Sequence, residues 1–217
     1  MSELPPRALP SGHLQAGRIR PASGGRRPQQ RAVRRHEALL DAAAALLGEG
    51  GFAAVTHRAV AQRAGLPLAA TSYYFSSRDA LLTEAFALLV ERELAQMRAS
   101  MEAITAVSPD AIADLLAGAY AFDRPRQLGL WELYLQAGRD PALQGIARAW
   151  TDGCDEIVAT VLRRAGYPHG QPEVRFVTTL LSGLWLEDVV EARPEARGRA
   201  RDAVARALAA IGPRVEP

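Results

Sequence analysis

The 217-residue chain carries one cysteine, Cys154. A single thiol cannot close an internal disulfide, and no Cys/His cluster has the spacing of a zinc site. Cys154 reads as a small buried hydrophobe, with a redox sensor as the lesser alternative. Lysine is absent altogether: all 26 basic residues are arginine. With the abundant alanine, this points to a GC-rich coding bias and carries no functional message. Long apolar runs are missing too. The richest, near residues 86–90, is far too short to span a bilayer. The opening stretch, MSELPPRALPSGHLQAGRIRP, has no apolar segment of the kind a secretory signal needs, so the expected location is cytoplasmic. Catalytic signatures are equally scarce. His13, His36, His57 and His169 are scattered along the chain, and the adjacent Asp155 and Glu156 have no acid–base partner. No nucleophile elbow, phosphate-cradling glycine loop or HExxH occurs. An enzyme is not expected, and neither is a cofactor or a metal.

What the chain does have is an uneven charge. The net charge is +2, yet residues 1–82 hold eleven arginines against five acids, while the remainder holds fifteen against nineteen. A basic amino-terminal third on an acidic body suits a polyanion partner at one end; a solvated basic arm is the alternative. Residues 1–30 are rich in Pro, Gly, Arg and Ser without periodicity, which predicts a disordered arm. Its Arg18, Arg20, Arg26 and Arg27 could add phosphate contacts or enter a minor groove. A dispensable tail is the preferred reading.

From residue 31 on, the pattern is helical. Leu40, Ala43, Ala44 and Leu47 form an i, i+3, i+4, i+7 stripe, and Gly48, Gly50 and Gly51 are expected to end that helix. Thr56 is a suitable N-cap for a helix over 57–64, Gly65 suits a left-handed turn, and Pro67 opens a helix over 68–74. Two turns of helix are not stable alone, so neighbours must supply the packing. Ser77 caps a further helix running to about residue 101. The second half predicts helices over about 109–122, 124–137, 141–164, 173–190 and 195–211, with the loop AGYPHGQP between the third and fourth of these. The expected fold is all-α with about nine helices.

A short helix on a rigid support is what the major groove of DNA accepts. Tyrosine and threonine hydroxyls and helix amino termini suit phosphate oxygens. Arg78, a cation at the start of a helix, runs against the helix dipole and would be explained by a phosphate. The stretch from Thr56 to Leu82, THRAVAQRAGLPLAATSYYFSSRDALL, resembles the TetR family of transcriptional regulators over about residues 31–86. It shares Thr before helix two, A..AG at the turn, an aromatic pair plus Phe ending helix three, then a basic residue and LL.

The resemblance implies an amino-terminal three-helix DNA-binding domain over 31–85, with its helix-turn-helix at about 55–75. It implies a ligand-binding and dimerisation domain over 86–217. Position by position, Thr56 would touch phosphate; Leu68, Ala69 and Ala70 would face bases; Ser72 and Tyr73 would lie at the DNA surface. Tyr74 and Arg78 would meet phosphate. The family more often has Gly at 69, Tyr at 72 and a polar residue at 68. Base reading would then rest on methyl contacts and on Tyr73. The implied function is a ligand-responsive repressor that binds a palindromic operator as a homodimer, with a small-molecule effector. The alternative is a helical small-molecule-binding protein or adaptor without specific DNA binding. Effector-lining candidates are Tyr120, Phe122, Trp131, Tyr134, Trp150 and Phe176, though aromatic residues at helical spacing also serve as plain core. By analogy the last two helices form the dimer interface; periodicity would equally fit an intramolecular core.

Overall fold

The computed structural model describes residues 26–102, 108–118 and 124–212, all helix, turn and loop. In chain order the α-helices are α1 (Arg26–Ala54), α2 (His57–Arg63), α3 (Leu68–Tyr74), α4 (Arg78–Glu102), α5 (Pro109–Gly118), α6 (Arg124–Ala137), α7 (Gln144–Arg164), α8 (Gln171–Glu191) and α9 (Ala196–Ala210). A 3₁₀ turn, Pro141–Leu143, leads into α7, its amino end capped by the Asp140 side chain.

α1 starts five residues before the periodicity suggests and runs through Gly48 and Gly50. The break comes only at Gly51, whose backbone is left-handed (φ 67°), and one further turn follows. Gly48 is not a helix stop but a contact. A Cβ there would lie 2.4 Å from the Pro125 carbonyl oxygen at the start of α6. The bare backbone lets α6 seat directly on α1, the most extensive helix pairing among the described residues.

One continuous apolar core runs from end to end. In the amino-terminal part, Leu39, Leu47, Val60, Phe75 and Leu81 are fully enclosed. Each such side chain stabilises the fold by roughly 1.5–3 kcal/mol, which is how the two-turn helices α2 and α3 persist. α4 carries the core onward: Leu82, Phe86, Leu94 and Met97 are buried along its length, and the helix packs on α1, α6 and α7. In the body α5 packs on α9, and α8 on both α7 and α9. Ion pairs tie the same helices: Arg175–Asp155 (2.9 Å) joins α8 to α7, and Arg201–Asp114 (2.9 Å) joins α9 to α5.

The buried stripe of α8 is Val174, Val177, Thr178, Leu181, Trp185 and Val189. Leu180 and Leu184 are only half-buried, and Phe176 is exposed. The helix is apolar on more than one side, so sequence spacing alone does not say which stripe faces the core.

Candidate nucleic-acid interface and the aromatic core behind it

Thr56 caps α2: its hydroxyl oxygen accepts from the Ala59 amide at 3.1 Å. The turn after α2 is a Schellman arrangement. The Leu66 amide donates to Ala61 (2.9 Å), the Gly65 amide to Gln62 (3.2 Å), and Gly65 takes φ 64°. This sharp reversal lets α3 start at once behind Pro67. α3 then turns two faces apart. Thr71 is fully buried, its hydroxyl donating to the Leu68 carbonyl at 2.7 Å, and Phe75 closes the helix in the core. Leu68, Ala69, Ser72 and Tyr73 point to solvent, Tyr73 with 81% of its surface open; Ala70 is half-buried. A bulky apolar and an aromatic side chain are thus held out on a short, well-supported helix.

Two residues expected at phosphate have partners inside the chain. The Tyr74 hydroxyl donates to the Ala32 carbonyl at 3.1 Å, and its half-buried ring packs between His36 and Tyr73. Arg78 turns back to the end of α1. Its Nε donates to the Val55 carbonyl at 2.6 Å, an outer nitrogen donates to the Phe52 carbonyl, and the guanidinium lies 4.3 Å from the Phe52 ring centre. The anomaly of a cation at a helix start is thereby resolved without phosphate: the last carbonyls of a helix lack partners, and a cation there is favoured.

In the body, three of the six effector candidates come together. Trp131 meets Tyr134 (ring centres 5.7 Å) and Trp185 (5.5 Å), and Trp185 meets Trp150 (5.9 Å). The Tyr134 hydroxyl bonds the Thr151 hydroxyl at 2.5 Å, and burial pushes its ionisation above the usual tyrosine range. Phe176 does not join them; half of it is open to solvent. Tyr120 and Phe122 lie outside the described residues. Trp185, which spacing did not single out, sits at the centre of the cluster; its i, i+4 relation to Leu181 and Val189 was the available signal.

An exposed two-turn helix behind a Schellman turn, carried on an all-helical body, defines a helix-turn-helix transcriptional regulator. "Bacterial regulatory proteins, tetR family" matches residues 39–85, and "Tetracyclin repressor-like, C-terminal domain" matches residues 105–210. The chain belongs to the TetR family, whose regulators are DNA-binding proteins without enzymatic activity. It is similar to a TetR-family member, SCO1917, from Streptomyces coelicolor A3, at 29% identity and TM-score 0.65, over 80% of this chain and 98% of that one. It is similar also to the multidrug-binding protein EbrR in complex with ethidium, at 28% identity and TM-score 0.63, over 80% and 98% of the two chains. A TetR transcription regulator from Haloarcula marismortui ATCC 43049 shares the fold at 20% identity and TM-score 0.67, over 82% and 98%. Among curated proteins no relative matches.

Proposed function

We propose that this regulator is a homodimeric, effector-released repressor acting in the cytoplasm on a palindromic operator. The observation that carries the DNA-reading part is the outward side of α3. Leu68, Ala69, Ser72 and Tyr73 stand exposed while Thr71 and Phe75 anchor the helix from behind. Methyl groups of Leu68 and Ala69 suit thymine methyls, and Thr56 and Tyr73 hydroxyls suit phosphate or base edges. Two such helices in a dimer would enter successive major grooves about 34–36 Å apart.

The dimer is supported by α8. Phe176, Gly183 and Val190 recur every seven residues, with Leu186 between the last two, and Phe176, Leu186 and Val190 are exposed. An apolar stripe at that spacing is suited to a helix-bundle seam with a second copy. The effector reading is supported by the aromatic core. EbrR has been solved with ethidium, proflavin and imidazole. Trp131, Tyr134, Trp150 and Trp185 would offer stacking surfaces to a planar aromatic effector in this chain.

Genomic fragments captured by the purified full chain test the reading. A preferred fragment should contain two inverted half-sites. Its affinity should fall with salt by about 0.9 log unit per neutralised phosphate for each log unit of salt. Capture with no preference over bulk DNA would remove the operator and leave a helical ligand-binding protein.

A further inference from the structure

We infer that Arg31 and Arg35 form a second contact surface for DNA, outside the helix-turn-helix, that grips phosphates beside the groove α3 enters. The inference rests on the DNA-reading role proposed above and supplies phosphate partners for it. Tyr74 and Arg78, two of the groups expected at phosphate, are bound to carbonyls of α1. Other cations are free to take that part. Arg31, Arg34 and Arg35 stand exposed near the start of α1, and among the described residues none of them has an ion pair or a side-chain hydrogen bond. Glu37 is the first acid along the helix. Farther along α1 the pattern reverses: Asp41 pairs with Arg92, and Glu49 with Arg63. In the body, Arg98, Arg126, Arg175, Arg193, Arg199 and Arg201 are likewise paired with acids of the chain. The exposed arginines left without a partner there, Arg124, Arg148, Arg197 and Arg206, are scattered over α6, α7 and α9. Only α1 gathers several of them on neighbouring positions among the described residues.

What places this basic stretch at the duplex is its contact with α3. The Tyr74 hydroxyl donates to the carbonyl of Ala32, the residue after Arg31, at 3.1 Å. The ring of His36, the residue after Arg35, lies 5.5 Å from that of Tyr74 and 5.1 Å from that of Phe75. The backbone that carries both arginines therefore lies beside the carboxyl end of α3, where Tyr73 is open to solvent. A duplex that receives the outward side of α3 must carry its strands past the ends of that helix. Arg31 and Arg35 are one turn apart on one side of α1, about 6 Å along its axis. Glu37 stands two residues from Arg35, a spacing at which side chains do not face each other. Arg34 does face Glu37, three residues on, so the surface is assigned to Arg31 and Arg35. Glu84 of α4, which reaches this part of α1, is engaged by His36 Nε2 at 3.0 Å. Guanidinium groups offer paired N–H donors to phosphate oxygens, so the contact adds affinity and orientation without reading sequence.

The test compares the full-length wild type with Arg31→Gln, Arg35→Gln and Arg148→Gln. Each removes one charge from an exposed helical position, and glutamine keeps the helix propensity. Arg148, on α7 in the body, is the control for the loss of charge alone. Affinity is measured for a captured genomic fragment and for random duplex of equal length, between about 50 and 200 mM salt. In Arg31→Gln and Arg35→Gln the slope of log affinity against log salt should fall by about 0.9 for each chain bound, or about 1.8 for a dimer, on both DNAs. Over that range the wild type should then lose about tenfold more affinity than either variant. Preference for the fragment over random duplex should stay as in the wild type, because a phosphate contact carries no sequence information. Arg148→Gln should keep the wild-type slope. A wild-type slope in either α1 variant, or an equal change in Arg148→Gln, overturns the surface on α1 and leaves the reading by α3 standing. Lost preference at an unchanged slope would put the arginine at bases and overturn its phosphate role. A wild type that prefers no genomic fragment overturns the DNA-reading proposal, and this inference with it.

Discussion

Arg78 illustrates how one side chain can satisfy two contradictory sequence signals. At a helix start it is disfavoured by the dipole of α4, yet it sits at the carboxyl end of α1, where the same electrostatics favour it. The partner is 23 residues away in sequence, so local reading could not find it. Glycines show the same split between local and distant causes. Gly65 is required by its left-handed backbone, and a Cβ there would meet nothing within 4 Å. Gly48 is helical, and alanine there should gain about 1 kcal/mol of helix propensity. That gain is outweighed, because the new Cβ would press on the Pro125 backbone at 2.4 Å and α6 would have to shift. Gly48→Ala should therefore cost about 2 kcal/mol in urea unfolding, against about 1 kcal/mol for Gly65→Ala. A reversed order would show that α6 moves freely on α1.

At the scale of elements, α2 and α3 are legible because their boundaries are chemical. Thr56, Gly65, Pro67 and Ser77 each carry a cap or turn signal, and each acts where that signal lies. Leu68, Ala69, Ser72 and Tyr73 stand outward on α3 as expected, whereas Ala70 is half-buried and Tyr74 is held by Ala32 and His36. Adjacent aromatic residues look alike in sequence, and only the placement of Ala32 and His36 decides which of the two is anchored. Two substitutions separate these roles. Tyr73→Ala should leave the urea midpoint unchanged, since the side chain is 81% exposed, and should weaken a preferred fragment more than random duplex. Tyr74→Phe should cost about 1 kcal/mol of stability through loss of the bond to Ala32. Equal losses on both DNAs for Tyr73→Ala would remove Tyr73 from base reading.

For the whole molecule, two further outcomes follow from surfaces and cores rather than single contacts. If α8 forms the seam, Val190→Glu places a charge where an apolar contact is made. Light scattering should then report the mass of one chain where the wild type gives two; a wild-type monomer, or a dimeric variant, would put the seam elsewhere. The second outcome uses the tryptophans. The chain has three, Trp131, Trp150 and Trp185, and all stand in the one aromatic cluster. Intrinsic fluorescence therefore reports on that cluster. If the cluster is the proposed effector site, a planar aromatic cation should quench it saturably and weaken binding to a captured fragment in parallel. Quenching without loss of DNA affinity would separate the cluster from regulation.

Helix number, the turn between α2 and α3, the capping residues and the basic amino-terminal third were all determined by the amino-acid sequence alone. They depend on propensities, caps and charges that act within a few residues of one another. The tertiary structure decided the rest. It chose which stripe of α8 is buried, turned Arg78 and Tyr74 inward, brought Trp185 between Trp131 and Trp150, and set His36 against Glu84. Each of those outcomes depends on which helix lies opposite, and an apolar or charged side chain specifies that it needs a partner without specifying where along the chain the partner lies.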